Sequence, residues 1–249
     1  TYNSSKFIEK TLLSVLSQDR LPDELIISDD GSEDDTINIL DNFFKNRETN
    51  LRIQILKNNH HGPGFARNIG IKNATCSWIA FLDSDDLWIE NKLKNIENTI
   101  LSYPKVNFIC HDEIWIERNG NKKLISYGSN YAYHSSLIHQ LYKKNLFSTS
   151  AVVCKKNLLL KHGLFDENLM SAQDYELWLR LAENINPFFL NEVCGHYIKR
   201  IGNISSKNQL NRLRNDLKIA FRYKKKVNLY FFLIKLVRIF ASHLKQIII

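Results

Sequence analysis

The sequence predicts an α/β fold in which a mostly parallel sheet carries helices on both faces. Three observations point there. Helical and strand-like apolar patterns alternate between Phe7 and Asp86. Two short apolar runs, ELIIS at 24–28 and WIAFL at 78–82, stop at carboxylates: Asp29 and Asp30 after the first, Asp83, Asp85 and Asp86 after the second. Segments rich in glycine and helix-capping residues, DDGSEDDT at 29–36 and the loop 58–64, lead from strand to helix.

The elements follow in order. Phe7, Ile8, Leu12, Val15 and Leu16 give a first helix over 7–17, and 24–28 is a short strand. Ile39, Leu40, Phe43 and Phe44 mark a helix over 36–45, and alternation over 51–56 marks the next strand. Gly62, Pro63 and Gly64 place a loop before a helix at 66–74, and 78–82 reads as a strand buried on both faces. Beyond Asp86 come a helix at 91–102 and strand-like stretches at 106–111 and 113–117, after which the alternation ceases. Residues 120–150 read as an irregular α+β portion shaping a binding face. A strand at 151–154, a helix at 174–183 with Leu177, Trp178 and Leu181 on one side, and a strand at 188–194 complete the body. Thr1, Tyr2 and Asn3 look like the loop that follows a strand, so the first βαβ unit is incomplete and a strand ahead of Thr1 is expected to be missing from the sequence.

With 249 residues, 44% hydrophobic and 24% charged, the chain has the length and composition of one globular domain plus an appendage. Cys76, Cys110, Cys154 and Cys194 form no CxxC pair, so neither a zinc site nor a disulfide framework is expected; they read as reduced thiols of a cytoplasmic protein. Polar residues begin at Thr1, and no secretory leader is read there. The net charge of +8 is uneven. From Lys199 onward 13 Lys and Arg face the single acid Asp216, which puts that stretch at +12 and residues 1–198 at −4. Bases confined to the tail beside an acidic body argue against nucleic acid as a partner.

In open α/β sheets ligands bind beyond the carboxyl ends of the strands. If the two acid-ended strands are neighbours in one sheet, their carboxylates make one crevice. Taken alone, Asp29, Asp34 and Asp35 equally suit turn and helix caps. Two carboxylates about 4 Å apart repel by roughly 4 kcal/mol at an effective dielectric near 20. A divalent cation, Mg²⁺ or Mn²⁺, turns that repulsion into a bridge for a diphosphate and neutralises it as a leaving group. No GxxxxGK[ST] occurs, so this is not a P-loop enzyme.

The motifs TYN at 1–3, SVLSQ at 14–18, DDGSEDDT at 29–36, GPGFARNIGI at 62–71, FLDSDD at 81–86 and QDYELWLRL at 173–181 resemble family 2 glycosyltransferases of the GT-A fold. The resemblance covers 1–206, divided into a nucleotide-sugar half over about 1–112 and an acceptor half over about 113–206, and it leaves 207–249 as a basic helical tail. It implies an inverting, metal-dependent transfer from a nucleotide-sugar donor, a UDP-sugar above all, to a glycan or lipid-linked acceptor in bacterial cell-surface polysaccharide or lipopolysaccharide synthesis.

Carried over residue by residue, Thr1 and Tyr2 would border the nucleobase and Asp30 would accept a hydrogen bond from it. Asp83 would face the ribose and the metal, and Asp85 would ligate the metal directly. Arg67 lies where it would approach the phosphates, or else is a solvated or helix-pairing arginine. Asp174 would be the general base, removing the acceptor hydroxyl proton on the face opposite the leaving nucleotide; alone it reads as the N-cap of its helix. Where the family often carries a histidine, YIKRIGNISS at 197–206 has Arg200, which grips phosphate and cannot ligate a metal. His196 is the nearest alternative ligand.

In the tail, Asn228, Lys235, Arg238, Ser242 and Lys245 form one polar stripe on an otherwise apolar helix. No run approaches the ~18 apolar residues of a spanning helix, so the tail is expected to lie on the inner face of the cell membrane, with Lys224, Lys225 and Lys226 at anionic headgroups. The alternative is packing on the catalytic domain or on a protein partner. Two rival functions remain open: a catalytically silent sugar-binding or scaffolding protein of this fold, and an Asp-based phosphatase, which would leave DDGSEDDT and QDYELWLRL without a role.

Overall fold

The computed structural model describes residues 1–45, 47, 50–200 and 209–247. Its first part follows the expected alternation: α1 (Ile8–Leu16), β1 (Glu24–Asp29), α2 (Thr36–Lys45), β2 (Arg52–Lys57), α3 (Pro63–Asn73) and β3 (Trp78–Ala80). β1 and β2 pair in parallel from Glu24 opposite Arg52 to Asp29 opposite Lys57. Ile8 and Leu12 of α1, Ile27 of β1, and Leu40 and Phe43 of α2 bury together, the amphipathic stripes closing on the strand. α3 begins three residues earlier than its apolar pattern, because Pro63 suits a first helical turn and Gly62, at φ 97°, turns the chain into it.

The later elements are β4 (Leu87–Trp88), α4 (Lys92–Ser102), β5 (Phe108–Ile116), β6 (Lys122–Ile125), α5 (Leu137–Lys143), β7 (Val152–Lys155), α6 (Lys156–His162), α7 (Gln173–Leu181), β8 (Pro187–Ile198), α8 (Gln209–Arg222) and α9 (Leu229–Ile247). A second sheet runs β3-β7-β5-β8-β4, with β6 also on β5, and in it only β5 and β8 are parallel. The α/β class stands, but the sheet is mixed rather than mostly parallel: beyond Asp86 the regular βαβ crossovers cease, β5 and β6 form a hairpin, and the strands remote in sequence, β7 on β3 and β5 and β8 on β4, pair antiparallel.

Two expected strands, 106–111 and 113–117, are one strand whose register against β8 shifts on either side of Asp112. β3 is shorter than expected, and its three residues are half-buried rather than fully enclosed, since its ladder bonds run to β7 alone among the described residues. β1 and β3 share no ladder bonds. Instead the Thr1 amine donates to the Ser28 carbonyl at 2.8 Å and the Asp30 N–H donates to the Thr1 carbonyl at 2.9 Å, so Thr1 lies along β1 in a parallel-strand pattern.

The main core centres on Trp178 of α7, fully buried, with Phe108, Phe147 and Phe165 edge-on to it at 5.3–6.4 Å. Edge-to-face pairs add about 0.5–1.5 kcal/mol each beyond burial. Ile219 of α8 and Tyr223, just past its end, belong to the same core, so the tail shares the interior of the body. The cysteines are free thiols, three of them buried and Cys76 partly exposed.

Candidate functional site

The nominated residues Thr1, Tyr2, Asp30, Arg67, Asp83, Asp85, Asp174 and Arg200 all line one cleft of about 1860 Å³. It opens where the ends of β1 and β3 meet the start of α7.

At the β1 end the DDGSEDDT turn folds on its own carboxylates. Asp29, 1% exposed, accepts from the Thr1 hydroxyl at 2.7 Å, the Ser32 hydroxyl at 2.6 Å and the Ser32 N–H at 2.8 Å. Asp34 accepts from the Thr36 hydroxyl at 2.5 Å and from the Thr36 and Ser5 N–H groups at 3.0 Å each; against a burial that raises it, the side-chain bonds of Thr36 and Ser5, helped by the backbone ones, hold its carboxyl below the usual range. These two acids therefore organise the turn. Asp30 is equally buried; it accepts from the His61 and Gly62 N–H groups at 2.9 Å and faces His60 Nδ1 at 2.9 Å. Gly31, at φ 76°, lets this turn approach the next loop, since a Cβ there would lie 2.8 Å from the His60 nitrogen. His60 stacks on Tyr2 with ring centroids 4.3 Å apart, a flat aromatic pair at the mouth. His60 was not nominated from sequence, because nothing local marks it; only the fold brings it under Tyr2.

At the β3 end the acids are paired. Arg67 of α3 donates to Asp83 at 2.6 Å, and Arg200, following β8, donates to Asp85 while its guanidinium lies 3.7 Å over the Phe7 ring. Asp85 titrates above the ordinary carboxylate value because burial and repulsion from Asp83 outweigh the attraction of Arg200. Of the two readings of Arg67, the geometry gives an ion pair inside the cleft. His196 is a strand residue opposite Leu87 and Ile114, its imidazole pushed below its usual pKa by burial and Lys122, and it does not line the cleft. Residues 201–206 of the YIKRIGNISS motif lie outside the described residues.

Across the cleft, Asp174 sits in the first turn of α7, two residues past the cap. The cap is Ala172, in the left-handed conformation at φ 58°, which corrects the N-cap reading of Asp174. Asp174 is half-buried and accepts from Asn145 Nδ2 at 3.2 Å; burial raises its pKa against the pull of its own helix turn and of Arg67. A carboxylate made more basic in this way suits proton abstraction. α7 is fixed from behind. Glu176, 1% exposed, takes Arg180 at 2.9 Å, Arg222 at 2.8 Å and the Tyr223 hydroxyl at 2.7 Å. Asn68, next to Arg67, exchanges hydrogen bonds with the backbone of Phe165 at 2.9 Å both ways and donates to Glu167 at 2.8 Å, joining the two walls.

No group of three or more His, Cys, Asp or Glu among the described residues forms a ready metal cage. Asp83 and Asp85 offer two carboxylates. That donor set fits Mg²⁺ or Mn²⁺, which commonly take one or two protein carboxylates and complete their shell with phosphate and water.

Two residues of the polar stripe reach the body from α9: Lys235 donates to the Tyr175 hydroxyl at 2.9 Å and Arg238 to the Lys143 carbonyl at 3.2 Å, and burial draws the Lys235 pKa down to about 8. Leu229, Leu233, Val237 and Phe240, spaced four, four and three residues apart, are 49–69% exposed on the other side. Lys224, Lys225 and Lys226 are exposed, and Lys226 pairs with Glu183 at 2.7 Å. No helix among the described residues is long and apolar enough to cross a membrane.

Comparisons with known proteins agree with this architecture. The sequence model of Glycosyl transferase family 2 matches residues 1–169. The chain is 30% identical over 230 residues to UDP-Glc:alpha-D-GlcNAc-diphosphoundecaprenol beta-1,3-glucosyltransferase WfaP of Escherichia coli, covering 87% of this chain and 82% of that protein. It is 32% identical over 189 residues to an uncharacterized glycosyltransferase of Rickettsia conorii, covering 73% of this chain but only 29% of that longer protein. Among solved structures, Staphylococcus aureus TarS 1–349 in complex with UDP-GlcNAc superposes with a TM-score of 0.70 at 26% identity, covering 89% of this chain and 64% of that one. Mannosyltransferase PcManGT from Pyrobaculum calidifontis, in complex with GDP-Man and Mn²⁺, shares the fold with a TM-score of 0.66 at 17% identity, covering 92% of this chain and 63% of that one.

Proposed function

Because the chain belongs to glycosyl transferase family 2, we propose that it moves a sugar, with inversion, from a UDP-sugar to a glycan or lipid-linked acceptor in bacterial cell-surface polysaccharide synthesis. The observation that carries this reading is the opposition within one cleft: Asp83, Asp85, Arg67 and Arg200 on one wall, and the basic Asp174 on the other. The UDP-Glc-using relative and the neighbour holding UDP-GlcNAc support uridine as the nucleoside, and the relative's diphosphoundecaprenol acceptor supports a lipid carrier.

Tyr2 and its stacked partner His60 offer a face to the base, with Thr1 beside them. Asp30, both of whose oxygens hold the 60–62 loop, acts on the base chiefly through that loop. Asp83 and Asp85 would hold a divalent cation, which when bound would supply charge neutralisation to the departing diphosphate. Arg67 and Arg200, released from the acids, take the phosphate oxygens. Asp174 accepts the acceptor hydroxyl proton as that oxygen bonds to the anomeric carbon, and the bond to the diphosphate breaks with its electron pair leaving on the nucleotide. The outward apolar stripe of α9 rests in the membrane interface beside Lys224 and Lys225, on the side where a lipid-linked acceptor arrives.

A thermal-shift panel of nucleotide sugars with and without Mn²⁺ tests the donor, since a ligand of the folded state raises its melting temperature. A UDP-sugar is expected to shift the wild type and Asp174→Asn alike, while only the wild type turns over. Equal turnover by Asp174→Asn removes that residue from the base role, and absence of any nucleotide-sugar shift favours a silent binding protein.

A further inference from the structure

A buried polar cluster stands behind the acids and takes no part in the chemistry described above. Asp86, 2% exposed, accepts the Ile198 N–H on Oδ1 at 3.0 Å and the Ser150 hydroxyl on Oδ2 at 2.6 Å. Ser150 Oγ in turn accepts the Asp83 N–H at 3.1 Å. The Ser150 carbonyl takes the ammonium of Lys92, itself wholly buried, at 2.9 Å, and that ammonium sits 4.2 Å over the Trp88 ring. Thr11 of α1 closes the arrangement, its one hydroxyl proton shared between the carbonyls of Ser84 and Asp86 at 2.9 and 3.0 Å.

We propose that Asp86, acting with Ser150 and Lys92, is a positioning group that sets the spacing between the Asp83–Asp85 turn and Arg200. The proposal rests on the functional reading above and deepens it. Ile198 lies two residues before Arg200, and Arg200 grips Asp85. One carboxylate thereby ties the end of β8 to the backbone of Asp83, through a serine that Lys92 holds from its other side. A buried ionisable cluster stabilises a fold no better than apolar residues of the same volume would. Its worth lies in the geometry it imposes on neighbouring ligands, and groups in such a position govern metal affinity by about 10- to 100-fold.

The test is calorimetric titration of UDP at several Mn²⁺ concentrations into wild type, Asp86→Ala and Ser150→Ala, alongside their melting temperatures. The expected result is that the gain in UDP affinity conferred by Mn²⁺ falls about tenfold in Asp86→Ala and severalfold in Ser150→Ala, while UDP affinity without metal stays within about twofold. A lowered melting temperature with the Mn²⁺-linked gain intact overturns the proposal, leaving the cluster purely structural. Should Asp86→Ala fail to fold, Ser150→Ala, which removes one hydroxyl, decides alone. Loss of the Mn²⁺-linked gain in the wild type itself overturns the underlying functional reading, an outcome distinct from a gain that wild type and variants share.

Discussion

Replacing Leu233 and Val237 together by serine asks whether the outward face of α9 meets a bilayer. Fully removing such a side chain from water is worth about 1.5–3 kcal/mol. Leu233 is 51% and Val237 68% exposed, so those fractions leave about 2–3 kcal/mol available to an interface, roughly a 30- to 150-fold change in partitioning. Neither side chain supports the fold from its exposed position, and folding stability is expected to stay within about 0.5 kcal/mol of wild type. Co-sedimentation with liposomes over a lipid titration reads the partition coefficient. Zwitterionic vesicles isolate the apolar contribution, and anionic vesicles add about 1 kcal/mol for each nearby lysine, a gain that salt removes. If the double variant partitions like the wild type, the stripe is not the contact. If neither binds either vesicle, the tail is not a membrane element at all.

Two further substitutions test the cleft. Gly31→Ala forces a Cβ to within 2.8 Å of the His60 backbone at a φ of 76°, so a loss of about 1–3 kcal/mol and a weaker grip on UDP are expected; a melting temperature within about 1 °C of wild type, read by scanning fluorimetry, would refute the close approach. Burial raises the Asp174 pKa, and only its deprotonated form acts as a base. kcat/KM is therefore full above that pKa and declines as pH falls through it, with the limb lying above the ordinary carboxylate value near 4; Asp174→Asn should lower turnover by about 10²–10⁴ and abolish this limb, whereas a limb that persists in the variant belongs to another group.

Much of the cleft wall at the ends of β1 and β3 was legible because its signals are local. The strand-end acids and the spacing of Ile8, Leu12 and Val15 declare strand and helix within a few residues. β4 and β6 were missed because a strand of two residues, or the exposed run Lys122–Ile125, has no pattern of its own and exists only through its partner. The pairing of Asp85 with Arg200 spans the fold, and a sequence motif could mark each residue but not their contact. Asp86 had no readable role for the same reason, since its partners come from residues 150 and 198. The stripe on α9 was read correctly as a pattern, yet periodicity does not say which side faces inward. Tyr175 and the Lys143 carbonyl, both remote in sequence, decided that by offering acceptors to Lys235 and Arg238.

The Asn68 clamp bears on how substrates enter. Its three hydrogen bonds, the two to Phe165 buried and the one to Glu167 partly so, hold α3, and with it Arg67, against the Phe165–Glu167 segment of the facing wall. At about 1 kcal/mol each, parting the walls costs about 3 kcal/mol before any apolar surface is wetted, which leaves a gaping form below about 1% of molecules. The molecule thus behaves as a fixed socket more than as a pair of jaws. In the proposed transfer, discrimination among sugars then falls to the rim of the cleft, while the distance that a reacting hydroxyl spans to the donor is set in advance.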